Sequence, residues 1–187
     1  MPLIHGHDEE VFPGRFIRVV RRHFKDRDGT PGIWEMVQRK THGPIVAVVA
    51  VTPEHEVIVN KIWRVPLGSY VLEFPAGLMD KAGEEPEICA MRELLEETGY
   101  VGDQVERIMA GPINAGLTSD QLWVYLCRNA RKVAEPAQEP TEDIHVLKVP
   151  VASLMALLGA PGDGVQVDLK LYGIIPFLQA RFPSAFP

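Results

Sequence analysis

The sequence predicts an α+β fold of the sandwich type. Runs of β-branched and aromatic residues fill residues 14–74, a periodic helical stretch spans residues 86–98, and a second set of strands leads into two closing helical segments. Strands, helix, strands, helix is not the regular alternation of a βαβ array. The 187 residues suffice for one domain with a real core and a small appended element.

Residues 1–13, with His5, His7 and the acidic run Asp8-Glu9-Glu10, read as a loosely docked tail. Phe16 to Val20 is β-branched, Asp26-Arg27-Asp28-Gly29 is turn chemistry, and Ile33 to Val37 resumes the alternation, so residues 14–40 read as a pair of strands. The near-continuous apolar run Ile45 to Val51 is expected of a strand buried on both faces. Val57 to Arg64 and Tyr70 to Phe74 follow as strands, each closed by a proline. Pro86 suits the first turn of a helix and Gly99 its end. Within it Ile88, Met91, Leu94 and Leu95 are expected to face the core, and Glu93, Glu96 and Glu97 the other way. Val105–Ala110, Gln121–Cys127 and Ile144–Val149 read as strands, Val151–Leu158 as a short helix, and Asp168–Arg181 as a closing helix.

Composition excludes several functions. A net charge of -6 does not suit a surface built to neutralise nucleic-acid phosphates. No apolar stretch approaches the roughly 20 residues of a membrane span, and no signal peptide is visible at the N-terminus. Cys89 and Cys127 form neither a metal-ligand spacing nor a disulfide framework. The expectation is a reduced, cytoplasmic protein that engages neither nucleic acid nor membrane.

The chemistry lies in residues 77–100. Glu93 and Glu97 are like charges four apart, which costs a helix about 0.2–0.5 kcal/mol. At 100° per residue they sit about 40° apart around the axis and one turn apart along it, so both carboxylates can reach one point. Glu96 flanks them. Hard oxygen ligands of this kind suit Mg²⁺ or Mn²⁺. A glutamate-rich helix is more often simply a solvated face, so the spacing of the whole stretch has to decide.

That spacing resembles the Nudix box. Glu84 is followed by seven residues and then by Arg92-Glu93-Leu94-Leu95-Glu96-Glu97-Thr98-Gly99-Tyr100, as in the box. The one departure is that six residues, not five, separate Gly77 from Glu84, with Ala82-Gly83 the expected place for the extra one. Upstream, Glu73-Phe74-Pro75-Ala76-Gly77-Leu78, the segment from Arg64 to Tyr70, and Trp34 to Arg39 are similar to the ADP-ribose pyrophosphatase branch of the superfamily. The resemblance implies a Nudix-type α/β/α sandwich with a mixed sheet, preceded by the N-terminal strand pair. It implies that Glu93, Glu97 and the carbonyl of Ala76 hold more than one Mg²⁺ (or Mn²⁺) with help from Glu96, and that Gly77, Glu84 and Arg92 form a structural brace. A late-loop glutamate, Glu142 or, with a shift, Glu139, would be the general base or a further metal contact.

For substrate, the resemblance assigns Arg39 and Arg64 to a diphosphate, Trp34 to stacking on a base, and Glu73 to the same site. Downstream of the box, Ala115 stands where that branch has proline, and Asp120 (or, with a shift, Gln121) where it has glutamate. The expected substrate is therefore ADP-ribose or a related nucleoside diphosphate sugar. GDP-mannose, a dinucleotide polyphosphate, a nucleoside triphosphate and a non-catalytic binding module are the alternatives. The resemblance also implies a homodimer, with residues 1–42 as the dimerisation element and 43–187 as the hydrolase domain.

Overall fold

The computed structural model describes residues 3–41, 43–184 and 186; Met1, Pro2 and His42 of the expected N-terminal element lie outside them. β1 (Ile4–Pro13), β2 (Ile17–Lys25) and β3 (Pro31–Arg39) form an antiparallel sheet in the order β1-β2-β3. The expected pair is thus a triplet, and the expected loose tail is its first strand. β1 lacks apolar alternation because cross-strand charge pairs hold it. Arg22 donates to both carboxylate oxygens of Asp8 at 2.8 Å, and Arg18 lies 3.6 Å from Glu10.

The main body begins with β4 (Ile45–Ala50), β5 (Glu56–Arg64), β6 (Ser69–Glu73) and β7 (Ala76–Leu78). Helix α1 (Pro86–Thr98) follows, then β8 (Tyr100–Val101), β9 (Val105–Pro112), β10 (Gln121–Cys127), β11 (Arg131–Lys132) and β12 (Ile144–Pro150). Helix α2 (Val151–Gly159), β13 (Val165–Val167) and helix α3 (Leu169–Arg181) close the chain. Two mixed four-stranded sheets result, β7-β4-β10-β9 and β12-β5-β6-β13, with β4/β10 and β6/β13 parallel.

β4 shows why this is a three-layer sandwich. Ala47 and Val49 pack in one cluster with Leu154 and Leu158 of α2 and Leu171, Ile175 and Leu178 of α3. Val46, Val48 and Ala50 pack in another with Cys89, Ala90 and Leu94 of α1. A strand covered on both faces needs an unbroken apolar run, which is what its sequence supplies.

Helix α1 turns a different face inward than its large side chains suggest. Cys89, Ala90, Leu94, Glu97 and Thr98 are buried, while Ile88 and Leu95 are exposed. The small residues Cys89 and Ala90 let the helix axis approach β4 closely, and this rotates Glu97 into the interior. At its end Gly99 adopts φ 77° and donates its N–H to the Leu95 carbonyl at 2.8 Å, an αL cap that suits glycine. Asp168 caps α3 by accepting from the Lys170 N–H at 3.0 Å. Truncating a core contact far from α1 should cost stability alone. Leu154→Ala should lower the unfolding free energy by about 2–5 kcal/mol in a urea titration, with turnover per folded molecule unchanged.

Candidate active site

The site forms where α1 meets β7. Glu97 is only 4% exposed. Its Oε2 accepts from the Ala76 N–H at 3.0 Å and from Asn60 Nδ2 at 2.9 Å. Burial pushes its carboxyl up to about 8; the Ala76 N–H opposes this, the Glu93 and Glu142 charges add to it, and the Arg64 charge opposes it. Asn60 Oδ1, buried beside it, has no hydrogen-bond partner.

Glu93 lies one turn back and presses directly on Gly77. A Cβ added to Gly77 would stand 1.9 Å from Glu93 Cδ and 2.1 Å from its Oε1, so the Glu93 carboxylate can lie where it does only over a glycine. Burial also raises the Glu93 carboxyl, against the pull of Arg92. Arg92 is the hub of the brace. Its Nε and Nη2 donate to the two oxygens of Glu84 at 2.8 and 2.9 Å, and its Nη1 donates to Glu93 and Glu96 at 2.8 Å each. This fork holds the Glu84 carboxyl below its ordinary range. The extra residue before Glu84 is absorbed in a turn closed by Glu84 N–H to Lys81 O at 3.2 Å, with Gly83 at φ 77°. The brace therefore closes despite the longer loop.

On the other side of β7 lies a cleft of about 480 Å³ lined by Ala76 and Gly77, Arg39, Arg64 and Glu73, and by Asp168 and Lys170 at the start of α3. Arg64 donates to both oxygens of Glu73 at 2.8 and 2.6 Å. That hydrogen bond raises the guanidinium's pKa, and the charges of Glu97 and Asp168 add to it. Arg39 donates to Asp120 at 3.0 Å, and Lys170 pairs with Asp168. Asp120, one of the two residues that could stand for the branch's glutamate, thus holds one cleft arginine.

The late loop is tied down at both ends. Gln138 Nε2 donates to the carbonyls of Glu97 and Ile144, each at 3.1 Å. Glu142 Oε2 accepts from the Glu139 N–H at 2.8 Å, and the charge of Glu142 reaches both Glu93 and Glu97. Glu139 is exposed and contributes its backbone to this contact. The structure therefore gathers Glu73, Ala76, Gly77, Glu84, Arg92, Glu93, Glu96, Glu97 and Glu142 around β7 and α1, with Arg39 and Arg64 in the adjoining cleft. It does not bring Trp34 there. That side chain is exposed, donates to the Gly116 carbonyl at 3.0 Å, and lines a separate hollow with Arg22, Phe24 and Met36.

Sequence reasoning passed over Asn60, Asp168 and Lys170. Asn60 carried a signal, as a polar amide directly after the apolar run Val57 to Val59, and in the structure it is 2% exposed. The donor set fits a hard divalent cation: all its side-chain ligands are carboxylates, one of them is buried against neutral donors, and a buried amide oxygen beside it is unpartnered. Among the described residues no three acidic, His or Cys side chains already converge on one point, because Arg92 draws Glu93 and Glu96 to itself.

A family model of the NUDIX domain matches residues 41–169. The chain is 34% identical over 180 residues to the ADP-sugar pyrophosphatase of Mus musculus, covering 88% of this chain and 82% of that protein. It is 34% identical over 176 residues to the ADP-ribose pyrophosphatase of Bacillus subtilis (strain 168), covering 92% of this chain and 90% of that one. A solved structure described as an ADP compounds hydrolase shares the fold, with a TM-score of 0.79 over 97% of both chains at 20% identity.

The contact between Gly77 and Glu93 makes a sharp prediction. Gly77→Ala must push the Glu93 carboxylate off its place against β7, and displacements of about an ångström in an active site cost about a hundredfold in rate. The expected outcome is such a fall in turnover with the circular dichroism spectrum retained. An active Gly77→Ala protein would show that this approach does not position the site.

Proposed function

Because the chain belongs to the NUDIX domain family, we propose that it hydrolyses the diphosphate linkage of ADP-ribose or a related nucleoside diphosphate sugar, giving a nucleoside monophosphate and a sugar phosphate. The observation that carries the proposal is the position of β7. One side of it is gripped by Glu93 and Glu97, and the other opens on a cleft furnished with Arg39 and Arg64. The names of the mouse and Bacillus relatives support the substrate class.

Each residue then has a task. Arg39 and Arg64 hold phosphate oxygens, the guanidinium fork being suited to two at once. Glu93 and Glu97, with Glu96 and the Ala76 carbonyl, would hold more than one Mg²⁺ or Mn²⁺. When bound, these ions neutralise the diphosphate and acidify water. Glu142 orients the attacking water and takes its proton. The water oxygen forms the new bond to phosphorus as the bridging P–O bond breaks, and the bridging oxygen leaves on the sugar phosphate. Gly77, Glu84 and Arg92 keep the carboxylates at their stations; Glu73 and Asp120 keep the two arginines at theirs.

Residues 1–42 serve, on this reading, as a dimerisation element and 43–187 as the hydrolase domain. Phe12, Phe16, Ile33 and Trp34 of the N-terminal segment are all more than half exposed, an apolar surface that suits a second copy of the chain. Trp34, remote from its own cleft, would stack on the base bound by the other subunit. The location in the cell would be the cytoplasm.

Three measurements test this. A panel of ADP-ribose, GDP-mannose, a dinucleotide polyphosphate and a nucleoside triphosphate, assayed with Mg²⁺, should show ADP-ribose or another nucleoside diphosphate sugar turned over fastest; preference for the triphosphate would overturn the substrate class. Glu97→Gln keeps an acceptor for Ala76 and Asn60, so it should fold, yet lose most turnover and lose the rise in Tm that Mg²⁺ gives the wild type. Full turnover at saturating Mg²⁺ would reject the ligand assignment. Sedimentation should give a dimer, and a monomer of full activity would reject the role of Trp34.

A further inference from the structure

Asn60 lies at the centre of its sheet, and packing alone does not account for it. It stands on β5 between β6 and β12, opposite Glu73 and Val146. Its neighbours on that strand, Val57, Ile58, Val59 and Ile62, are buried apolar residues, and a valine would continue their run. The chain places an amide there instead, almost wholly buried, and its Oδ1 has no hydrogen-bond partner. A buried acceptor left without a partner lowers stability. The reason for Asn60 must therefore lie with its other polar group.

That group is Nδ2, which donates to Glu97 Oε2 at 2.9 Å. The Ala76 N–H donates to the same oxygen at 3.0 Å. The two donors come from different elements, β5 and β7, so together they fix the plane of the carboxylate as well as its position. Both are neutral, so neither competes with a cation for the negative charge. Oε2 is engaged twice, while Oε1 receives no donor among the described residues. Glu93 and Glu96 are held differently, each by the Nη1 group of the charged Arg92.

We propose that Asn60 is a positioning residue that presents Glu97 to a cation through Oε1 alone, and so sets the site's preference for Mg²⁺ or Mn²⁺ over Ca²⁺. The inference rests on the reading of Glu97 as a metal ligand. Mg²⁺ demands a near-ideal octahedron, which single oxygens satisfy, whereas Ca²⁺ takes roughly six to eight oxygens and accepts both oxygens of one carboxylate. A carboxylate whose second oxygen is tied inward suits the first ion and withholds a contact from the second. Without Asn60 only the Ala76 N–H remains, and a single hydrogen bond leaves the carboxylate free to turn about it.

The test titrates Mg²⁺ and, separately, Ca²⁺ into the wild type and Asn60→Val without substrate, and reads each affinity from the rise in Tm. Valine is β-branched and suited to a central strand, so the variant is expected to fold, with a Tm in EDTA no lower than the wild type's. Its Mg²⁺ affinity should fall about tenfold or more, the low end of what losing an outer hydrogen bond costs a metal site. Its Ca²⁺ affinity should fall less, so that the preference for Mg²⁺ narrows. Asn60→Ser, whose shorter side chain stops short of Glu97, should show the same narrowing, so either variant decides the matter if the other does not fold. Equal weakening of both cations, or an unchanged Mg²⁺ affinity, would make Asn60 a packing residue and overturn the proposal. A wild type that binds neither cation would overturn the ligand reading of Glu97 as well. A narrowed preference in a protein that turns over no nucleoside diphosphate sugar would support the proposal and overturn the hydrolase reading. Turnover with an unaltered preference would do the reverse.

Discussion

Everything at this site depends on β7 lying against α1. The contact is made twice, by Gly77 under the carboxylate of Glu93 and by the Ala76 N–H bonded to the carboxylate of Glu97. It fixes two charges that would otherwise swing with long, flexible side chains, and it does so from a strand that also lines the cleft of Arg39 and Arg64. A displacement on one side of β7 is therefore felt on the other. The core supports this arrangement rather than forming it. β4 pairs with β7, and its small and β-branched side chains pack against Cys89, Ala90 and Leu94 of the same helix, so helix and strand are referred to a common element.

The brace adds a second constraint. Arg92 shares one guanidinium among three carboxylates, with the bidentate pair reserved for Glu84. Glu84 is thus pinned to the helix although the loop that carries it is a residue longer than the usual spacing. A fork that binds through planar geometry and two parallel hydrogen bonds tolerates a change in loop path as long as the carboxylate arrives in the same place. The turn at Gly83 supplies the needed freedom, since a positive φ is open to glycine at little cost.

What the sequence disclosed follows the same division. α1, β4 and β10 were legible because periodicity and apolar runs report burial directly, and the carboxylate cluster was legible because its members lie within two helical turns. The orientation of α1 was not. Counting large apolar residues places Ile88 and Leu95 inward, whereas the helix packs through Cys89 and Ala90, whose small size permits the closer approach. The strand β1 was hidden because its pairing rests on Asp8 with Arg22 and Glu10 with Arg18 rather than on an apolar face. β7, β8, β11 and β13 are two or three residues long and exist only by virtue of their partners. Lys170 and Asp168 belong to the cleft because β13 runs parallel to β6 and Asp168 bonds to Leu72, a long-range fact that no local pattern contains.

The charge balance around β7 also says what kind of ligand the cleft can hold. Each cation there already has an acidic partner: Arg64 has Glu73, Arg39 has Asp120, and Lys170 has Asp168. On the other side of the strand Glu93 and Glu96 share the guanidinium that also serves Glu84, and Glu97 has only neutral donors among the described residues, Asn60 and the Ala76 N–H, with the charge of Glu142 nearby. A diphosphate entering alone would meet cations already neutralised and a field of carboxylates that repels it. Removing a cleft acid would free an arginine but leave that repulsion in place. Divalent cations held there would reverse the local sign, satisfy the buried Glu97, and make the same carboxylates an anchor for a diphosphate instead of an obstacle to it. The paired arginines, already held in position by Glu73 and Asp120, would then contribute geometry, and the attraction would come from the ions.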